Sequence, residues 1–165
     1  MFNSETYGKM ELKGIPEKLL EFYNKTKQYD TSIQLIVGTD SQTFSTETKI
    51  VNVITIICEG HGGIYFYEVS KIPKMSDVRT KLYTETAMSL KTADSLLALL
   101  EDDKKYSELY SNVTFTIHVD AGNSENGKTK ELIPAIVGWI KGQGYEYEIK
   151  PDSFVASTIA DRISK

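Results

Sequence analysis

Four acidic residues and one glycine-rich string mark where this sequence could do chemistry. Asp40 closes the apolar run "LIVGTD" and Asp120 closes "TIHVD", while Glu85 stands in "LYTETA" and Asp161 in "ASTIADR". Carboxylates brought together at the ends of adjacent strands repel one another unless a cation sits between them. Hard oxygen donors of this kind suit Mg²⁺ or Mn²⁺. A competing pattern is written over the same stretch. From Gly122 to Thr129 the chain spells G-x-x-x-x-G-K-T. Such a loop cradles phosphates with backbone N–H groups, a lysine (here Lys128) reaches them, and a threonine (here Thr129) binds Mg²⁺.

The elements that must position these groups can be read from periodicity. "IPEKLLEFYNKTKQ" has Pro16 near a helix start and Leu19, Leu20 and Tyr23 at helical spacing, which predicts a short helix. Three strand-like runs follow, "SIQLIVGT", "KIVNVITIICE" and "GIYFYEVSKI", the last two joined by the turn "GHGG". A long helix is expected over "SDVRTKLYTETAMSLKTADSLLALLED", with Ser76 as its N-cap and a stripe through Leu82, Tyr83, Ala87, Leu90, Ala93, Leu97 and Leu100. Asp94 interrupts that stripe. After a polar link come a fourth strand, "NVTFTIHV", and a helix over "KTKELIPAIVGWIKGQG" in which Pro134 is costly unless it falls near the first turn. "YEYEIK" is a fifth strand and "SFVASTIADRISK" a closing helix. Residues 1–14 are polar and mixed, read as a loose tail or an added edge strand. The reading divides the chain into a tail and short helix at 1–29 and one domain at 30–165.

This order predicts an α/β fold with a five-stranded mixed sheet flanked by helices. Hairpins join strands one to three, and strands one and four lie parallel through a right-handed crossover, giving the order 3-2-1-4-5. Asp40 and Asp120 would then sit side by side at carboxyl ends, the place where open α/β sheets hold ligands. Neighbouring strands are only about 4.8 Å apart. Each acid alone has an ordinary reading: Asp40 capping a turn with Ser41, Asp120 opening a loop, Glu85 a solvated helix residue, Asp161 a surface acid one turn from Ser157. The case for a site rests on the pair.

Bulk properties narrow the function further. The 165 residues are 40% hydrophobic and 25% charged, the content of one ordinary globular domain. A net charge of −4 and a pI of about 5.3 exclude a large basic surface as the sole means of holding nucleic acid, but not a site whose cations supply positive charge. A single cysteine, Cys58, excludes an internal disulfide and suits a reducing cytoplasm. The N-terminus lacks an apolar stretch of signal-peptide length, and "IVNVITIIC" is about half of a membrane span. The expectation is a soluble cytoplasmic protein.

The stretches "IVGTDSQ" (Ile36 to Gln42), "TET" around Glu85 and "IKPDSFVASTIADR", in this order, resemble the YkuK family of bacterial ribonuclease H-like proteins over about residues 30–165. The resemblance implies a ribonuclease H-like fold. It also implies a nuclease site in which Asp40, Glu85, Asp120 and Asp161 hold two divalent ions about 3.5–4 Å apart across a scissile phosphate. Asp40 would bridge both. On that reading Lys150 or Lys128 neutralises a phosphate, and Gln42 and Ser157 orient water or substrate. His118, on the same strand side as Asp120, is either a proton shuttle or a packed, hydrogen-bonded residue. His61 is a turn residue and Cys58 a buried inert thiol. The partner is RNA or DNA. Two rivals stand beside this reading. One is a non-catalytic nucleic-acid-binding or interaction module of the same fold. The other is a nucleotide binder using Gly122–Thr129, weakened because little chain follows Thr129 and no second strand ends in a metal-holding Asp. The tyrosines of the third and fifth strands also leave a homodimer open, through pairing of third-strand edges.

Overall fold

The computed structural model describes residues 1–122 and 127–164. Seven strands form one sheet: β1 (Phe2–Ser4), β2 (Gly8–Met10), β3 (Ile33–Thr43), β4 (Glu47–Cys58), β5 (Gly63–Pro73), β6 (Thr114–Gly122) and β7 (Glu146–Lys150). Their order is β2-β1-β5-β4-β3-β6-β7. The helices are α1 (Ile15–Thr26), α2 (Val78–Glu101), α3 (Ser107–Asn112), α4 (Gly127–Gly142) and α5 (Val155–Ser164). The pairs β3–β6 and β6–β7 are parallel and the others antiparallel.

The five expected strands lie in the expected order, and the expectation needs extending at one edge. Of the two readings of the N-terminus the added edge strand holds, as residues 2–10 form a hairpin that joins β5 through Asn3↔Tyr67. Its strands are three residues long, below what alternation can reveal, and Ser4 Oγ shapes the turn by accepting from the N–H groups of Thr6 and Tyr7. Phe2, Ile15, Leu19 and Tyr23, which precede the boundary drawn at residue 29, all belong to the main core. β1 covers only a short part of the third predicted strand, pairing with it at Asn3↔Tyr67.

The sheet is covered unequally. Leu35, Val37, Ile54, Ile56 and Ile117 point to a large core shared with α1, α2 and α4. Ile36, Val51 and Val53 point the other way to a small core closed by Val155, Ile159 and Ala160 of α5. The polar link expected after α2 contains α3, and it buries Tyr106 and Leu109. Two helix starts also shift. Asp77, not Ser76, caps α2: its Oδ1 accepts from Thr80 N–H at 2.7 Å and its Oδ2 from Thr80 Oγ at 2.8 Å. α4 begins at Gly127, so Thr129 lies inside its first turn, and Pro134 sits in the helix interior on the exposed side. There it leaves the carbonyl one turn back without its helical donor, a group that solvent can satisfy. No helix among the described residues is long and apolar enough to cross a membrane.

Candidate active site

The parallel ladder between β3 and β6 runs from Gln34↔Thr114 to Gly38↔His118. Two residues further along each strand come Asp40 and Asp120, side by side at the carboxyl end of the sheet. The two strands hold their acids differently. Asp40 stays in register with Val51 of β4. On β6 the pairing with β7 jumps from His118↔Glu148 to Gly122↔Lys150, so β6 spends four residues where β7 spends two. Asp120 occupies this bulge, a device that re-aims a side chain beside a site. Ser153 Oγ donates to the Val119 carbonyl at 2.6 Å and ties the bulge to the segment before α5.

Glu85 comes from α2, on the other face of β3. It is only 8% exposed. Ser41 Oγ donates to its Oε2 at 2.6 Å. Consecutive residues of β3 point to opposite faces, so "DS" supplies an acid on one side and the hydroxyl that holds Glu85 on the other. Asp40, Ser41, Lys81, Glu85, Asp120, Thr129 and Lys150 all border one crevice of about 210 Å³.

The electrostatics are strained. Burial, then the hydrogen-bonded, like-charged Asp120, push Asp40 up to about 7 against the opposing pull of the Ser41 N–H, 2.9 Å from Oδ1, and of Lys81. Burial pushes Glu85 up to about 8, with Asp40 and Asp120 adding to it and Ser41 and Lys81 opposing. Asp120 Oδ1 is buried and has no aligned hydrogen bond among the described residues, although Lys150 Nζ lies 3.1 Å away in an ion pair. That contact is one of charge rather than direction.

The remaining predicted residues divide. Asp161 is exposed and borders a second, larger cavity of about 430 Å³ on the α5 side, which also includes Asp40, Gln42 and Lys49. It does not border the Glu85 crevice. Lys150 is engaged with Asp120, and Lys128 is exposed and borders neither cavity. Ser157 donates to the Phe154 carbonyl of its own turn at 3.3 Å, so the role expected for it at the site has no support in its geometry. His118 is 4% exposed, is pushed down to about 4 by burial, and accepts from the Phe154 N–H at Nδ1 with the Phe154 ring edge-on against it. It is the packed, neutral residue of its two readings. Asp94, far along α2, accepts from the Tyr145 hydroxyl. His61 lies in the "GHGG" turn, stacked on Tyr29, and Cys58 is fully buried.

Sequence reasoning passed over Ser41, Lys81 and Lys49. The two lysines carried a signal: Lys81 is one helical turn before Glu85, and Lys49 faces Gln42 across a hairpin whose register can be counted. For the phosphate-loop pattern, residues 123–126 lie outside the described residues, but its first glycine has another explanation. A Cβ at Gly122 would come within 2.6 Å of the Lys150 carbonyl. Gly122 lets β7 approach the end of β6, whereas a Cβ at Gly127 would meet nothing within 4 Å among the described residues.

A profile of the family described as Ribonuclease H-like matches residues 15–165. The chain belongs to the ribonuclease H-like family. It is also 29% identical over 171 aligned positions to "Uncharacterized protein YkuK" of Bacillus subtilis (strain 168), covering 100% of this chain and 97% of that one. Membership is consistent with the central strand order of the sheet. Within that frame, among the described residues no three of His, Cys, Asp or Glu form a ready-made metal-holding cluster. Asp40 and Asp120 stand together, Glu85 is drawn to Ser41, and Asp161 faces a different cavity.

Proposed function

We propose that this ribonuclease H-like protein is a nuclease that hydrolyses phosphodiester bonds with the help of Mg²⁺ or Mn²⁺. The observation that carries the proposal is the pairing of Asp40 with Asp120 at the ends of two parallel strands, with Glu85 buried beside them and Asp120 Oδ1 lacking an aligned donor. Oxygen-only donors under mutual repulsion fit a hard divalent cation, and they fit it as a pair joined by Glu85 rather than as a finished cage. Asp40 and Asp120 would hold the ion; when bound, it would activate water and neutralise phosphate charge. Ser41 Oγ steers Glu85 by donating to Oε2, which would position this carboxyl beside an ion held by Asp40 and Asp120. Lys150 holds Asp120 in place by its charge. Lys81 offsets the negative charge of Asp40 and Glu85.

A test with two readouts separates binding from turnover. Mn²⁺ near pH 8 should raise the Tm of the wild type and not of Asp40→Asn; an ion at about a hundred times its Kd stabilises by about 2.7 kcal/mol. Labelled single-stranded RNA, RNA–DNA hybrid, single-stranded DNA and duplex DNA should then identify a substrate cut by the wild type and spared by Asp40→Asn. Equal cutting by both preparations would defeat the proposal. The position of Asp161 in a cavity that Glu85 does not border favours a second reading, a nucleic-acid-binding module without turnover. A Tm response to Mn²⁺ with no cutting of any substrate would select it.

A further inference from the structure

The carboxylates are bordered on two sides by cavities that share Asp40 and Ser41. On the α2 side the crevice of about 210 Å³ carries Lys81, one helical turn before Glu85. On the α5 side the cavity of about 430 Å³ carries Lys49 on β4, directly across from Gln42, with Val51 and Ala160 as its apolar floor and Asp161 on its far wall. The two lysines are alike in one respect. Lys71, the cross-strand neighbour of Lys49, is paired with Glu47 at 3.3 Å, and Lys150 is paired with Asp120 at 3.1 Å. Neither Lys49 nor Lys81 makes an ion pair within 4 Å among the described residues, although each shares a cavity with at least two carboxylates.

An ammonium that is half-buried beside acids and closes on none of them is placed for an anion not yet present. Here there is one such cation on each side of the acid pair. Resting on the nuclease reading above, we propose that Lys49 and Lys81 bind the phosphates on either side of the one carried over Asp40 and Asp120. The substrate is then a strand that continues in both directions, and the bond cut is an internal one. The Val51–Ala160 floor and the Gln42 amide suit the sugar and base edge of the nucleotide lodged in the larger cavity. This also explains how a chain with net charge −4 grips a polyanion. The grip consists of two local cations, not a basic surface, so affinity falls with salt by a small slope, roughly one log unit per log of salt for each phosphate held.

Binding of end-labelled single-stranded RNA and DNA of about ten nucleotides, followed by fluorescence anisotropy across a salt series without divalent cation, tests this independently of turnover. Lys49→Gln and Lys81→Gln should each weaken binding by about five- to tenfold and lower the salt slope by about one. Their double variant should combine the two losses, and Lys49→Arg and Lys81→Arg should restore binding. Lys25→Gln, on α1 and paired with Glu21, should bind as the wild type does. The proposal is overturned if the wild type binds no strand, if either glutamine variant binds normally, or if cleavage products are released only from strand ends. Cleavage of internal bonds that ignores both lysines sinks the two-sided grip and leaves the nuclease standing. Lysine-dependent binding without any cleavage does the reverse.

Discussion

Two polar layers lie one above the other between β3 and α2, and they are built on opposite principles. In the lower layer Thr92 Oγ donates to Asn52 Oδ1 at 2.7 Å, Asn52 Nδ2 donates to Thr39 Oγ at 2.8 Å, and Thr39 meets Ser89 at 2.8 Å. Every group there is neutral and has a partner. The layer above, one strand repeat along β3 and one turn back along α2, replaces the hydroxyl pair with Ser41–Glu85, and Asp40 and Asp120 border it from the end of the sheet. There the charges repel and one carboxylate oxygen has no aligned donor. Buried polar groups in a folded chain are normally satisfied. The satisfied layer belongs to the architecture, and the unsatisfied one is where the molecule has left room for a ligand.

The comparison is broken most sharply by Asp40→Asn. Cleavage should fall by more than about a hundredfold, in line with what loss of even an outer support to a metal site can cost. The same variant, free of metal near pH 8, should melt above the wild type, because a charge that is costly to bury has gone. A lower Tm would mean that Asp40 is a structural residue like Asn52. Asn52→Leu should do the opposite. It removes the partner of Thr92 and one of the two partners of Thr39, and should destabilise by about 1–3 kcal/mol by denaturant unfolding, equally at pH 5 and pH 8, with cleavage per folded molecule retained. Gly122→Ala should cost about 1–3 kcal/mol through the clash with Lys150, while Gly127→Ala should change stability by less than about 1 kcal/mol. Equal intolerance at both glycines in a thermal melt would revive the phosphate-loop reading.

The smallest effect is in pH dependence. Asp40 and Glu85 keep their protons to about 7 and about 8 in the native state, whereas an unfolded chain releases them near the ordinary 3.8 and 4.5. Native protein therefore binds more protons than unfolded protein between those limits. The stability they confer is complete at low pH and is lost as pH rises through 7 and 8. Metal-free Tm should decline across that window, with Asp120, Lys81 and Lys150 facing the same crevice. Glu85→Gln should flatten the upper part of the decline. A flat wild-type profile would place the acids in open solvent.

How much of this could be read from the chain depended on which signals are local. Asp40 and Asp120 were legible because each ends an apolar run, and the count of strands and helices makes the two runs parallel neighbours. Glu85 was visible as a residue but not as a buried one. The helical stripe was read from Leu82 and Leu90, whereas the buried face also takes in Thr86 and Ser89 and so turns Glu85 inward. Hydroxyls satisfied by partners on another element look solvated in a sequence. The hairpin at 2–10 was too short for alternation to register, and the site of Asp161, in the cavity of Lys49 and not of Glu85, depends on how α5 crosses the sheet. No periodicity encodes that crossing.

On the metal-dependent reading proposed above, the bulge in β6 bears on which ions would fit between Asp40 and Asp120. Asp40 is clamped in a ladder with β4. Past His118, β6 has no register partner on β3, and none on β7 until Gly122. One carboxylate is therefore on a rigid mount and the other on a short compliant span, secured chiefly by Ser153 at Val119. A jaw with one fixed and one sprung face closes on objects of different width. Ions as unlike in radius as Mg²⁺ at about 2.1 Å from its oxygens and Ca²⁺ at about 2.4 Å should both be gripped, and the backbone amides of Val119 and Asp120 should exchange their hydrogens sooner than those of Val37 and Thr39.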